Sequence, residues 1–160
     1  MNKTALALIS TLFLVAACDS SSDNNGGAGG AGANGTGNGS GILGQTADGI
    51  NVGDRVFFAT DSSVVDSDGQ TVLAKQAEWL KQYGSVNVSV EGHADERGTR
   101  EYNIALGERR ASAAKNFLVS QGIAASRITT ISYGKERPSV TGNDESAWSQ
   151  NRRAVTVLAQ

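Results

Sequence analysis

One segment of the chain, residues 19–41, contains no side chain that can fill a hydrophobic core. Its 23 residues are nine Gly, four Asn, four Ser, three Ala, two Asp and one Thr. Such a composition buries too little apolar surface to offset the entropy lost on ordering, so we expect a flexible tether there. The 119 residues that follow contain 11 Gly, an ordinary fraction, and are long enough for one sizeable core but not for two.

The residues before this segment are typical of a secretory signal. Lys3 supplies a minimal basic region, and residues 5–15 form an apolar run that is too short to cross a bilayer as a mature helix. Small residues then precede Cys18, the only Cys of the chain, in a pattern that resembles the bacterial lipobox. We therefore predict a signal peptide over residues 1–17 and a lipid on Cys18. The alternative is an ordinary Ala-x-Ala cleavage site beside a bystander Cys.

The predicted organisation has three parts: the signal peptide 1–17, a lipidated Cys with its tether over 18–44, and a folded domain over 50–160. A Gly-rich tether of this length spans about 25–30 Å on average, so the domain is expected to reach something away from the membrane. The predicted location is the outer membrane, with the domain facing the periplasm. Asp19 resembles an inner-membrane retention signal, so the inner membrane stays open.

Hydrophobic periodicity in the folded part alternates between strand and helix. Strands are predicted near residues 55–58, 86–90, 128–133 and 154–158, helices over 70–83 and 100–121, and a polar loop over 134–151. The order β-α-β-α-β-β predicts a two-layer α/β sandwich, with a mixed β-sheet and helices on one face.

Individual residues are assigned to these helices. Asp68 is expected to cap the first helix, and its Trp79 and Tyr83 are expected in the core. The second helix is expected to bury an apolar stripe that consists of Tyr102, Leu106, Ala113 and Phe117.

Composition excludes several functions. The balance of 14 basic and 16 acidic residues argues against a broad nucleic-acid-binding surface. One Cys excludes an intramolecular disulfide, and one Cys with one His excludes the common Cys/His zinc sites. No Gly-x-Ser-x-Gly elbow is present, and His93 is expected to be structural or to form a pocket wall. We therefore predict a protein that is not an enzyme and that needs no metal or cofactor.

Charged residues concentrate where the second strand meets the second helix. Asp95 lies just past the strand, and Asn103 and Arg110 are seven residues apart on one helix face. Long helical side chains lean toward the N-terminus, so Arg110 would approach Asp95. A carboxylate facing a guanidinium suits a zwitterion, with its ammonium on Asp95 and its carboxylate held by Arg110. Two alternatives remain open: the two side chains pair with each other, or both are solvated.

The same stretch, GHADERGTREYNIALGERRA, closely resembles the peptidoglycan-binding signature of the OmpA-like C-terminal domain family. The resemblance extends from residues 56–58 through 132–138 to 151–155, about 105 residues and nearly the whole folded part. Lipobox, polar tether and domain also follow the order of lipid-anchored members of the family. One departure is Thr60, which stands where the family often has an apolar residue.

The resemblance implies a ligand and a set of residues that bind it. The ligand is the diaminopimelate side chain of the peptidoglycan stem peptide, whose free end is zwitterionic. Asp95 and Arg110 match the residues that bind it. The other matching positions line the pocket, contact the ligand through backbone, or lie at the rim; they are Asn103, Leu106, Asp61, Ser62 and Arg152.

The resemblance also implies a role. A lipid-anchored protein would tie the outer membrane to the cell wall without covalent chemistry, as part of the Tol–Pal system in envelope integrity and cell division. TolB and other Tol proteins would then be partners. The alternative is a peptidoglycan-binding lipoprotein of the same family outside that system. Two rival classes are a peptidoglycan hydrolase, for which no metal site or paired catalytic carboxylates are evident, and a structural domain in which Asp95 and Arg110 form an internal salt bridge.

Overall fold

The computed structural model describes residues 42–45 and 49–159. Cys18, Asp19 and the Gly-rich segment lie outside these residues. The strands are β1 (Ile42–Gln45), β2 (Asn51–Gly53), β3 (Arg55–Phe57), β4 (Val88–His93), β5 (Ile128–Gly134) and β6 (Arg153–Leu158). The helices are α1 (Ser67–Gln82), α2 (Arg100–Ser120) and α3 (Glu145–Asn151), with a 3₁₀ turn at Ala125–Arg127. Among the helices of this described part, none is long and apolar enough to cross a membrane.

The main sheet has the strand order β3-β6-β4-β5. β4 and β5 are parallel, and α2 forms the crossover that a parallel pair requires. β6 runs antiparallel to both β3 and β4, which makes the sheet mixed. α1 and α2 pack against each other and against the sheet. The predicted two-layer α/β sandwich is therefore confirmed.

The core lies between the sheet and these two helices. The sheet contributes Val56, Val88, Val90, Ile128 and Ala154, all of them buried. α1 and α2 contribute the buried side chains that face them, which are Leu73, Ala77, Leu80, Ala111, Ala114 and Leu118. The alternating valines of β4 thus bury one face of the strand, as their spacing predicts.

The folded part begins earlier than predicted. β1 pairs antiparallel with β2, and the side chain of Leu43 is 9% exposed within the core cluster. Residues 42–44, which the sequence predicts as the end of the tether, therefore belong to the folded domain. The physical reason is that Leu43 has an apolar side chain to bury against the core, whereas the Gly-rich residues before it have none.

The structure also corrects three local assignments. Asp66, not Asp68, caps α1: its carboxylate accepts a hydrogen bond of 2.8 Å from the Gly69 N–H. Tyr83 follows the last turn of α1 and is 45% exposed, whereas Trp79 is buried as predicted. The predicted polar loop contains α3, which Asp144 caps through the Ala147 N–H at 2.9 Å.

Candidate functional site

A cavity of about 330 Å³ opens where β4 ends and α2 begins. Loops outside the carboxyl ends of strands are frequent ligand sites in α/β proteins. Three segments form its walls: the loop after β3, the loop between β4 and α2, and the first turns of α2. Its lining residues are Thr60, Asp61, Asp95, Arg97, Gly98, Tyr102, Asn103 and Leu106.

The loop between β4 and α2 is held in place at both ends. The Ala94 N–H donates to the Gly134 carbonyl at 2.8 Å, which continues the pairing of β4 with β5. Gly98 adopts a left-handed φ of 90°, and Thr99 then caps α2 by accepting from the Tyr102 N–H at 3.2 Å. The Asn103 amide donates to the Arg97 carbonyl at 2.8 Å. Asn103 therefore fixes the loop while it lines the cavity.

Asp95 supplies a nearly buried carboxylate to the cavity. One oxygen accepts from the backbone N–H and the Nε of Arg97, both at 3.1 Å. The other accepts from Arg97 Nη2 at 2.6 Å and from Arg152 Nη1 at 3.4 Å. Burial alone would raise the pKa of Asp95, but the hydrogen bonds from Arg97 and Arg152 hold that pKa below its ordinary value. The cavity therefore contains an ionised acid at neutral pH.

Arg110 is fully buried and is not among the residues that line the cavity. Its Nε donates to the Ser62 carbonyl at 2.8 Å, Nη1 to the His93 carbonyl at 2.9 Å and Nη2 to the Ala59 carbonyl at 3.2 Å. Burial lowers the pKa of Arg110 to about 10, so it stays charged at neutral pH. Within the described residues its side chain makes no ion pair with Asp95. The Asp95–Arg110 salt bridge that the spacing left open is therefore not formed, and Arg110 instead joins the loop after β3 to the end of β4.

The remaining predicted residues divide into two groups. Asp61 and Leu106 line the cavity together with Asp95 and Asn103. Ser62 and Arg152 lie behind the wall: Ser62 offers its carbonyl to Arg110, and Arg152 donates to the Phe58 carbonyl at 3.0 Å as well as to Asp95. The seven predicted positions thus surround one cavity, but Ser62, Arg110 and Arg152 support it from outside its lining.

Four lining residues were missed: Thr60, Arg97, Gly98 and Tyr102. The sequence predicts Tyr102 in the buried stripe of α2, but its side chain is 44% exposed and its hydroxyl donates to Asp61. Asp61 adopts a left-handed φ of 53°, which Asp tolerates better than most residues. Arg97 lies inside the charged junction, so the density of charge there was a usable signal for it.

His93 is buried but does not line the cavity. Burial, with the positive charges of Arg153 and Arg137, lowers its pKa to about 3. The imidazole is therefore neutral at physiological pH, in keeping with the structural role that the sequence predicts. Across the described residues, no group of three His, Cys, Asp or Glu side chains is placed to hold a metal ion.

Comparison with known proteins gives matches over most of the chain. The model of the OmpA family matches residues 57–152. A peptidoglycan-associated lipoprotein of Mesorhizobium japonicum is 52% identical over 159 residues, which cover 99% of this chain and 92% of that protein. Another from Haemophilus influenzae is 41% identical and covers 97% of this chain and 98% of that protein. These relatives have the names of lipoproteins, not of enzymes.

A solved structure resembles the folded part. The peptidoglycan-associated lipoprotein of Burkholderia pseudomallei superimposes with a TM-score of 0.65 at 40% sequence identity. The match covers 66% of this chain and 90% of that one. The similarity therefore extends from the sequence to the arrangement of strands and helices.

Proposed function

The chain belongs to the OmpA family, and from that premise we propose that it is a lipid-anchored protein that binds peptidoglycan without covalent chemistry. The ligand is the zwitterionic end of diaminopimelate in the stem peptide. The observation that carries this proposal is the ionised Asp95 at the wall of a cavity of about 330 Å³, which suits the end of one amino acid better than a long polymer segment. Its carboxylate would receive the ligand's ammonium in a charge-assisted hydrogen bond.

The ligand's carboxylate needs a positive group at the same cavity. Arg97 lines it, whereas Arg110 and Arg152 lie behind the lining residues. All three guanidiniums contribute a positive field there, which favours an anionic group next to Asp95. One small zwitterion gives modest affinity per site, and confinement of many copies beside a repeating wall polymer supplies avidity.

Asp95→Asn tests the proposal directly. The amide keeps the size of the side chain but removes the negative charge, so we expect the affinity for diaminopimelate-type peptidoglycan to fall more than tenfold. The measurement is cosedimentation of purified protein with isolated sacculi over a range of protein concentrations.

A matched control is Glu101→Gln, which removes the same charge from an exposed position in the first turn of α2. We expect this variant to cosediment like the wild type. If Asp95→Asn sediments with sacculi as well as wild type does, while circular dichroism shows both to be folded, Asp95 is not the ammonium site.

Membrane attachment is proposed through a lipid on Cys18. We expect the wild type to fractionate with the outer membrane and Cys18→Ala to lose membrane association in cells, because the tether and domain would then have no anchor. Membrane fractionation on a density gradient checks this, and the fraction that holds the wild type also decides the question raised by Asp19. Retention of Cys18→Ala in a membrane fraction would remove the lipid anchor from the proposal.

A role in the Tol–Pal system is the finer part of the proposal. The names of the relatives and the order of lipobox, tether and domain support it. The second candidate is a peptidoglycan-binding lipoprotein of the same family that does not interact with TolB. Capture of TolB from solution by the purified protein separates the two, because only the first candidate binds it.

A further inference from the structure

Arg97 occupies the acceptor positions that a ligand of Asp95 would need. An ionised carboxylate offers about four lone-pair positions. Two on the first oxygen accept from Arg97, and two on the second accept from Arg97 and Arg152. An incoming ammonium therefore finds no unused acceptor on Asp95 and has to displace one of the two arginines.

The two arginines differ in how firmly they are held. The side chain of Arg152 is 6% exposed, pairs with Glu145 and donates to the Phe58 carbonyl. The side chain of Arg97 is 39% exposed. Beyond Asp95, it donates to the Thr60 hydroxyl over a long 3.4 Å and lies over the face of the Trp148 ring. Of the two arginines that pair with Asp95, Arg97 is therefore the more exposed and the less firmly held.

A displaced Arg97 would remain at the mouth of the cavity. Its guanidinium carbon lies 4.1 Å from the centre of the Trp148 ring, and Trp148 is itself fixed by a hydrogen bond of 3.1 Å to Glu96. The charges of Glu145 and Glu96 also favour a cation at this place. The freed guanidinium can thus keep its aromatic contact while its hydrogen-bond donors turn to a ligand.

We propose that Arg97 is a displaceable internal cation that makes the cavity selective for zwitterions over plain amines. The inference rests on the function proposed above. A plain amine has to break the Arg97–Asp95 pair, and it has no carboxylate to accept hydrogen bonds from the freed guanidinium. An α-amino acid brings a carboxylate, to which the planar guanidinium can bind through two parallel hydrogen bonds.

Two ligands that differ only in their carboxylates test this selectivity. Cadaverine is diaminopimelate without its two carboxylates. We expect the purified wild type to bind diaminopimelate and to bind cadaverine far more weakly. Arg97→Gln removes the competing cation and so raises the fraction of protein in which Asp95 is free. The affinity for cadaverine should therefore rise about tenfold, whereas the affinity for diaminopimelate should change by less than about threefold. Isothermal titration calorimetry measures both affinities.

The control is Arg100→Gln, which removes the same charge three residues away, where the side chain is 66% exposed and pairs with Glu136. It should leave both affinities unchanged. Two results would overturn the proposal. In the first, Arg97→Gln loses affinity for diaminopimelate and gains none for cadaverine, which would mean that Arg97 only binds the ligand's carboxylate. In the second, the affinities for both ligands are unchanged. If the wild type binds no diaminopimelate, the proposed function fails and this inference falls with it.

Discussion

Replacing Gly92 with alanine is expected to destabilise the native fold severely, by more than about 4 kcal/mol in the free energy of unfolding. Gly92 lies in β4 where α2 crosses the sheet, and an ideal Cβ built on it would lie 1.8 Å from the Gly107 carbonyl oxygen and 2.5 Å from the carbonyl carbon. Both atoms are backbone, so no side chain can rotate away to make room. The helix itself would have to move.

The helix has little freedom to move. Gly107 is itself confined, because a Cβ there would lie 2.4 Å from the Ser132 hydroxyl of β5. A shift of α2 would also withdraw Arg110 from its three carbonyls. Ordinary overpacking costs about 1–3 kcal/mol, and we expect a backbone clash to exceed about 4 kcal/mol. That is a large share of the roughly 5–15 kcal/mol that stabilises a typical domain.

Gly84→Ala is the matched control, because a Cβ there meets nothing within 4 Å and its backbone φ is not left-handed. We expect it to change the free energy of unfolding by no more than about 1 kcal/mol. Urea denaturation followed by circular dichroism measures both variants. A Gly92→Ala protein that unfolds at the same urea concentration as the wild type would mean that α2 and β4 are not in the close contact described here.

The strands and long helices were predictable because their apolar residues follow simple periods. Val88 and Val90 alternate along β4, and Leu73, Ala77 and Leu80 recur along α1, so both buried faces were visible in the sequence. The order of the strands was not encoded in this way. The insertion of β6 between β3 and β4 depends on contacts between residues distant in sequence, which no local pattern reports.

The buried face of α2 is rotated by about one residue from the predicted stripe: Leu106 is buried as predicted and Phe117 packs against the core, but Tyr102 is exposed. Apolar residues suggested a stripe through Tyr102 and Phe117, whereas the buried positions include Asn103 and Arg110. Both are polar, yet each is satisfied by hydrogen bonds to backbone carbonyls. Hydrophobic periodicity misses such positions, because it counts them as solvent-facing.

The shorter elements escaped prediction for a different reason. α3 has seven residues, of which only two are buried, so it carries too little periodicity to be recognised. β1 is four residues long and follows directly after the Gly-rich segment. Its place in the fold depends on pairing with β2 and on burial of Leu43, neither of which its own sequence specifies.

At the site, spacing along the sequence predicts that Asp95, Asn103 and Arg110 lie near one another, but it does not predict which of them lines the cavity. Asp95 and Arg110 both lie at the junction of β4 and α2, as the helix geometry predicts. Which of the two reaches the cavity depends on carbonyls supplied by a distant loop, those of Ala59 and Ser62. Arg97, which donates three hydrogen bonds to the Asp95 carboxylate, approaches it through a local turn that periodicity does not describe.

Arg110→Met is expected to lower both stability and binding. Methionine fills much of the space but removes the guanidinium donors from the carbonyls of Ser62 and His93, whereas the Ala59 carbonyl keeps a hydrogen bond of 3.2 Å from the Ser62 N–H. Each buried carbonyl left without a donor costs about 1–3 kcal/mol. Removal of the buried positive charge also removes its desolvation cost, which offsets part of that loss. We expect a net loss of about 2–4 kcal/mol in the free energy of unfolding, measured by urea denaturation.

Binding is expected to fall with stability because Arg110 positions a wall of the cavity. It holds Ala59 and Ser62, which flank the lining residues Thr60 and Asp61. Loosening of that loop should weaken cosedimentation with sacculi more than tenfold at a temperature where the variant is still folded. Arg109→Met replaces the exposed neighbour in the same helix and should change the free energy of unfolding by no more than about 0.5 kcal/mol.

The combination of the two measurements distinguishes the two roles of Arg110. If its guanidinium turned into the cavity to grip the ligand's carboxylate, Arg110→Met would lose binding while the unfolding curve stayed at the wild-type position, since no carbonyl would depend on it. If it holds the wall, as its three hydrogen bonds indicate, binding and stability fall together. Arg110→Lys sharpens the distinction, because a lysine keeps the positive charge but cannot span three carbonyls in different directions. It should therefore recover little of the lost stability.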